Sequence, residues 1–366
     1  MEKNSALDLV SAELRRNPKL WLVTGAAGFI GSHLVEELLR LGQSVVGVDN
    51  FSNGTRENLA DIRSRVPDKW SNFEFIEGDI CDQEVSQQSC EGVNVVLHHA
   101  ALGSVPRSIE NPLGTNRNNI TGFLTLLEAA KNGGTKRFIY ASSSSVYGDN
   151  SDLPKVESRT GRPLSPYAVT KVTNELYAHT FATLFEMEII GLRYFNVFGP
   201  RQQLNGPYAA VIPKWINALL NDEEAQIFGD GSTSRDFCYV KNVVHMNLLA
   251  ATTKEKSTLD RVFNTACGKA TSLSELFNQI RGIFEQRQPH VKFRDVVYSS
   301  SRKGEILHSQ ANMSDASLLL GFHPLYQVAD GLQETIDWYL DRQNRESSLS
   351  SGDARFEAEL SKSLDV

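Results

Sequence analysis

The apolar positions of this chain change their period several times. Leu20-Trp21-Leu22-Val23-Thr24 is a compact apolar run closed by a glycine, the pattern of a buried strand. Past the glycine turn, Ile30, Leu34, Leu38 and Leu39 recur at helical spacing, and Ser44-Val45-Val46-Gly47-Val48-Asp49 returns to a strand that ends on an acid. Strand, helix and strand in that order predict a βαβ unit. Further strand-like runs are predicted over residues 73–76, 93–98, 138–141 and 188–193, with helices over 121–131 and 167–185 between them. The alternation predicts an α/β fold built on a doubly wound parallel sheet.

The flanks differ from this centre. A short amphipathic helix is predicted over residues 7–16, stopped near Pro18. Beyond residue 200 the pattern loosens around Pro200, Pro207, Pro213 and the Gly229-Asp230-Gly231 turn, which predicts a smaller α/β lobe. The expected division is a helical extension at 1–18, a nucleotide-binding core at 19–199 and a substrate lobe at 200–342 that returns in part to the core. Residues 343–366, rich in Ser, Asp and Glu, are expected to form a mobile tail.

Composition narrows the class. Of 366 residues, 40% are hydrophobic and 22% charged, a globular balance that excludes disorder throughout. Lys and Arg number 37 against 44 Asp and Glu, and with no basic stripe a nucleic-acid partner is not expected. Cys81, Cys90, Cys238 and Cys267 lack metal or disulfide spacing and predict a reducing compartment. The first 18 residues carry six charged positions and no apolar leader, and no apolar run reaches about 18 residues. A cytoplasmic protein without a membrane partner is therefore expected.

Three motifs carry the candidate chemistry. Gly25-Ala26-Ala27-Gly28-Phe29-Ile30-Gly31 stands between strand and helix, where glycines permit a tight turn and bring backbone N–H groups close to a pyrophosphate, as in a Rossmann-like fold. Asp49 ends the next strand, 18 residues after Gly31, and its carboxylate suits the two ribose hydroxyls of NAD. A 2′-phosphate would meet that charge, and no arginine directly follows, so NAD is expected rather than NADP. Asp79 and Ile80 follow the third strand and suit the adenine, although a plain turn carboxylate reads the same way. Tyr167 and Lys171, four apart after a Ser165-Pro166 cap, share one helix face, and an ammonium there is expected to lower the phenol pKa so that it serves as a base. Tyr140-Ala141 run out into Ser142, Ser143, Ser144 and Ser145 at a strand's carboxyl end, where such sheets bind ligands.

These motifs in this order resemble the extended short-chain dehydrogenase/reductase family over residues 19–342, and within it the nucleotide-sugar 4-epimerases. The resemblance implies Ser143, Tyr167 and Lys171 as catalytic residues. It implies an NAD site from Gly25, Gly28, Phe29, Ile30, Gly31, Asp49, Asn50, Asp79, Ile80, Ala100, Ala101, Asn119 and Tyr194, shared with Tyr167 and Lys171. On the substrate side it implies Gly103, Ser104, Ser142, Asn196, Ala210, Val211 and Trp215, with Arg235 and Arg302 gripping the diphosphate. Ser144 and Ser145 stand where the family's dehydratases carry an acid, which argues for oxidation and reduction without elimination.

Gly103-Ser104-Val105-Pro106-Arg107-Ser108 resembles the subgroup acting on UDP-N-acetylglucosamine, and Ser309 replaces a bulky tyrosine, leaving room for an N-acetyl group. The resemblance therefore implies a UDP-GlcNAc 4-epimerase, with weaker action on UDP-Glc, a UDP-sugar as partner and a homodimer. A UDP-uronic acid enzyme, using Arg107 or Asn196 near carbon 6, and a silent NAD-binding regulator remain open. His98-His99 lacks the companions of a metal site, and none is expected.

Overall fold

The structure, a computed structural model, describes residues 6–204, 206–300 and 307–350. Its N-terminal helix α1 (Ala6–Arg16) buries Leu14 against the main core, and the Leu14 carbonyl accepts from the Gln43 amide at 2.9 Å. Strand β1 (Leu20–Thr24) follows, buried from Trp21 onward, then helix α2 (Phe29–Arg40), which buries Gly31, Leu34, Val35, Leu38 and Leu39 on one stripe. The chain continues through β2 (Ser44–Asp49), α3 (Arg56–Arg65), β3 (Phe73–Glu77), α4 (Gln83–Ser89) and β4 (Val95–His98). Short helices α5 (Val105–Glu110) and α6 (Pro112–Asn116) precede α7 (Gly122–Asn132), β5 (Arg137–Ser143), α8 (Pro166–Phe185) and β6 (Glu188–Tyr194). The predicted strands are all present, displaced at their ends by up to two residues.

The second half comprises β7 (Val197–Phe198), α9 (Val211–Leu220), β8 (Gln226–Phe228), β9 (Ser234–Asp236), β10 (Cys238–Tyr239), α10 (Val240–Thr252) and β11 (Arg261–Thr265). It ends with β12 (Ala270–Ser272), α11 (Leu273–Arg287), β13 (Val297–Ser299), α12 (Ser314–Leu320) and α13 (Val328–Ser350). Most of these elements share a second core around Trp215, Phe277, Phe284 and Ile336. Three of them belong to the main body instead, and one is α12, whose Ala316 and Leu320 join the main core. Strand β11 pairs with β6, and α10, buried along most of its length, packs on α1 and α2.

The main sheet has the order β11-β6-β5-β4-β1-β2-β3 and every pairing in it is parallel. Strand order reverses between β1 and β4, which open a crevice at their carboxyl ends. The register sets Thr24 level with His98, so both strands stop at the same height beneath it. Residues 343–350, expected to be part of a mobile tail, continue α13, and residues 351–366 lie outside the described residues. Among the described residues no helix is long and apolar enough to cross a membrane.

Candidate active site

The crevice opens into a cavity of about 890 Å³ lined by the glycine turn, the ends of β2, β5 and β6, and the start of α8. Gly25 has φ +69°, a left-handed conformation, and a Cβ there would lie 2.9 Å from the Ala100 nitrogen. At Gly31 a Cβ would stand 2.0 Å from the Gly25 carbonyl oxygen. Turn and helix thus meet backbone to backbone, and Gly28, Phe29 and Ile30 line the cavity at the N-terminus of α2, whose dipole favours an anion.

Asp49 closes the same wall. Its Oδ2 accepts from the Ala27 N–H at 3.0 Å and its Oδ1 from the Phe51 N–H at 2.8 Å. Burial raises the carboxyl pKa, and these amide bonds oppose the rise. Asn50, Ile80, Ala100 and Ala101 line the cavity with it. Asp79 lines it too, accepting from the Cys81 N–H and the Arg117 guanidinium, which outweigh partial burial and hold the acid below its ordinary range.

The catalytic candidates come from β5 and α8. Ser165 caps α8 by accepting from the Ala168 N–H at 3.1 Å, and Pro166 occupies the first turn. Ala168, Lys171, Asn174 and Ala178 form the buried face, whose small alanines let the helix approach the sheet. Lys171 is thereby carried to the end of β5, where its Nζ donates to the Ala141 carbonyl at 2.7 Å. Burial pushes its pKa down to about 8, with Glu175 opposing.

Tyr167 and Ser143 share the cavity, and the Ser143 hydroxyl accepts from the Ser145 N–H at 3.1 Å. Here an expectation needs correction: burial raises the Tyr167 pKa, and it is Ser143 that pulls it back. Lys171 Nζ lies 5.9 Å from the centre of the tyrosine ring and spends a proton on Ala141, so its charge does little for the phenol in this arrangement.

His99 and Tyr194 complete this wall, stacked at 5.8 Å, with His99 Nε2 2.7 Å from the Tyr194 hydroxyl. That hydroxyl accepts from Asn247 at 2.8 Å, which leaves its own proton for His99. Burial holds the imidazole at about 3, so it is neutral. His98 turns away into the core and pairs with the Thr24 hydroxyl at 2.9 Å. Among the described residues no cluster of His, Cys, Asp or Glu is suited to a metal ion.

Several predicted residues have other partners. Asn119 does not line the cavity: its amide accepts from the Leu102 N–H at 2.8 Å and donates to Thr170, pinning the loop after β4, while Asn118 lines the cavity instead. The Ser142 side chain reaches the cavity wall, but its hydroxyl donates to Glu175, which also holds Arg193 through two bonds. Ser104 caps α5 by accepting from the Arg107 N–H and is not a lining residue, whereas Gly103 is one, with nothing within 4 Å of where its Cβ would be. Arg302 lies outside the described residues.

A second cavity of about 490 Å³ adjoins the first and shares Asn196, Leu204, Ala209 and Asn217 with it. Ala210 lines the first cavity, and Val211, Trp215 and Arg235 line the second. Asn196, with φ +34°, stands between them and donates from its side chain to the Asp236 carbonyl. Ser309 lines neither. Its N–H donates to the Ser234 carbonyl at 3.1 Å, next to Arg235.

A clasp of residues far apart in sequence spans the first cavity. Arg107 donates to Asn53 Oδ1 at 2.6 Å and lies 4.7 Å over the Tyr208 ring, while Tyr208 bonds Glu110. No local spacing signals contacts between residues so distant in sequence.

A parallel sheet of this order, with serine, tyrosine and lysine gathered at its carboxyl edge beside a glycine-rich turn, defines an enzyme of the extended short-chain dehydrogenase/reductase class. Residues 21–266 match the model of the NAD dependent epimerase/dehydratase family, and the chain belongs to that family. It is 35% identical over 324 residues to UDP-glucose 4-epimerase of Mycolicibacterium smegmatis, covering 88% of this chain and 98% of that one. The solved UDP-N-acetylglucosamine 4-epimerase of Methanobrevibacter ruminantium M1, in complex with UDP-N-acetylmuramic acid, is similar at 40% identity and TM-score 0.81, over 89% of this chain and 99% of that one. UDP-glucuronic acid 4-epimerase from Bacillus cereus, in complex with UDP-glucuronic acid and NAD, is similar at 33% identity and TM-score 0.76, over 88% and 99%.

Proposed function

We propose that the protein is an NAD-dependent 4-epimerase of UDP-sugars whose preferred pair is UDP-GlcNAc and UDP-GalNAc. The observation that carries the reaction type is the grouping of Ser143, Tyr167 and Lys171 on one wall of a cavity whose far end is the glycine cradle. The cradle fits a dinucleotide: a side chain at Gly25 or Gly31 would fill the space against the backbone, and Asp49 stands ready for a ribose. Gly25, Gly28, Phe29, Ile30, Gly31 and Asp49 would hold NAD, which when bound supplies reversible hydride transfer at carbon 4 of the sugar.

The chain's own residues manage the proton and the sugar. Tyr167 takes the proton from the O4 hydroxyl, and Ser143 hydrogen-bonds O4 as charge develops there. Lys171 holds positive charge beneath the site. Arg235, with Arg302, anchors the diphosphate while the 4-keto sugar turns, so that the same tyrosine returns the proton to either epimer.

Preference for an acetylated sugar is supported by the open space at Gly103, by Ser309 and by the likeness to the Methanobrevibacter enzyme. The Arg107 guanidinium is occupied by Asn53 and Tyr208, which argues against its holding a C6 carboxylate. A second copy is proposed to cover the exposed Ile109, Leu113 and Leu176 on α5, α6 and α8. Product analysis with UDP-GlcNAc, UDP-Glc and UDP-GlcNAcA tests the reading. Conversion of UDP-GlcNAc to UDP-GalNAc with the highest kcat/KM is expected, and exclusive turnover of the uronic acid overturns it.

A further inference from the structure

The clasp over the first cavity is firmly anchored at two of its three attachments. Asn53 belongs to the loop after β2. Its neighbour Gly54 packs so closely on the glycine turn that a Cβ there would lie 2.7 Å from both the Ala27 carbonyl carbon and Asp49 Oδ2, and the Thr55 N–H donates to the Ala27 carbonyl at 3.0 Å. Asn53 itself donates from Nδ2 to the Ala101 carbonyl at 3.4 Å, so its side chain bridges two stretches of the cavity wall. Arg107 belongs to α5, whose first turn is capped by Ser104 and which packs on α6 and α8. The third attachment is looser. Tyr208 rides on a turn in which Gly206 has φ +110° and nothing within 4 Å of where its Cβ would be, and the Ala209 N–H reaches the Gly206 carbonyl at 3.3 Å.

Arg107 and Glu110 stand three apart on one face of α5 and hold different parts of the same ring. The guanidinium lies 4.7 Å over the centre of Tyr208 and donates from Nη1 to Asn53 Oδ1 at 2.6 Å, while the Tyr208 hydroxyl donates to Glu110. Asn53 and Tyr208 both line the first cavity, whereas Arg107 does not. Neither Asn53 nor Tyr208 lines the second cavity, which meets the first at Asn196, Leu204, Ala209 and Asn217. The Arg107 bridge thus crosses the first cavity beside the Asp49 wall, and a ligand can occupy the second without breaking it.

We propose that Arg107 is a cofactor-retaining residue, a positioning side chain that ties Asn53 to Tyr208 across the mouth of the first cavity, so that the dinucleotide stays resident while UDP-sugars exchange through the second. This rests on the reading of the first cavity as an NAD site. The side chains of the clasp are half-buried or exposed, so each contact is weak taken singly and breaks and reforms readily. Made together, they hold three separate segments at once. Tyr208, on the looser turn, is the member that swings away when the cofactor leaves, and Asn53 and Arg107 stay with the body of the nucleotide-binding core.

Release of NAD from the purified holoenzyme tests the clasp. The loaded protein is moved into cofactor-free buffer, and the dinucleotide still bound is assayed after denaturation at successive times. Arg107→Ala is expected to lose NAD about 5–50-fold faster than the parent, the range set by one exposed cation–π contact and one hydrogen bond. Arg107→Lys, which keeps a cation over the ring and gives up the forked reach to Asn53, is expected to fall between the two. Tyr208→Leu is expected to speed release as Arg107→Ala does, and the double variant to be no faster than either single one, because each change opens the same bridge. Release from Arg107→Ala at the parent rate, or additive effects in the double variant, overturns the clasp while leaving the cofactor in place. A parent that takes up no NAD overturns the cofactor reading and the clasp with it.

Discussion

The Ser142 hydroxyl donates to Glu175 Oε1 at 2.5 Å. Adjacent serines at the end of β5 therefore do different work, since Ser143 lines the cavity with Tyr167 while Ser142 supports a half-buried carboxylate that faces Arg193. Ser143→Ala is expected to lower turnover by about 10²-fold. Ser142→Ala is expected to keep most of its turnover and to lose about 1.5–3 kcal/mol of stability, the worth of a hydrogen bond to a charged group. Steady-state rates beside urea melts of the two variants separate the roles.

Tyr167→Phe keeps the ring and removes the proton acceptor. Turnover should fall by at least about 10²-fold while the dinucleotide stays bound. Rates near normal would remove Tyr167 from the mechanism.

Lys171 predicts the alkaline limit. Burial lowers its pKa to about 8, so the ammonium is present below that pH and is lost as pH rises through it. Turnover that depends on the cation should decline above pH 8. In Glu175→Gln the opposing, raising influence of the carboxylate is gone, and the decline should move to lower pH. A pH profile of kcat in the two proteins, with melting checked beside it, measures the shift, and an identical limb removes Lys171 as its source.

Asp49→Ala deletes a carboxylate that lines the cavity and also ties down Ala27 and Phe51. Loss of a charged hydrogen bond of about 1.5–3 kcal/mol should weaken NAD by about 10–100-fold. Dinucleotide released on denaturing the purified variant can be compared with that from the parent. Recovery of NADP from the parent would show that Asp49 has been misread.

Ser309→Tyr tests the preference for acetylated sugars. Overpacking costs about 1–3 kcal/mol, or roughly one to two decades in relative rate. The ratio of kcat/KM for UDP-GlcNAc to that for UDP-Glc should fall by this factor. Ser309 lies beside Arg235 and lines neither cavity, so an unchanged ratio would leave the open space at Gly103 to explain specificity.

Features set by local spacing were legible in the sequence. The glycine turn, the acid that ends β2, the Ser165 cap and the shared face of Tyr167 and Lys171 all follow from a few consecutive residues. What depended on distant partners was not. Strand β11 carries buried Asn264 where a core strand usually reads apolar, because that amide is met by residues from elsewhere: it accepts from the Tyr147 hydroxyl and donates to the Lys155 and Asn312 carbonyls. Asn119 matched a cofactor-lining position, yet Leu102 and Thr170 claim its amide. Tyr167 stood at the right spacing for help from Lys171, but the nearer Ala141 carbonyl takes that proton.

The placement of β11 beside β6 also bears on how the protein is made. A chain emerging from its N-terminus completes six neighbours of the sheet by Tyr194, then waits until Thr265 for the seventh. During that interval β6 presents a bare hydrogen-bonding edge to whatever is near, the kind of edge that recruits foreign strands. Slow translation or a premature stop between those two points would therefore leave a sticky intermediate, and fast passage through this stretch protects the nascent protein from aggregation.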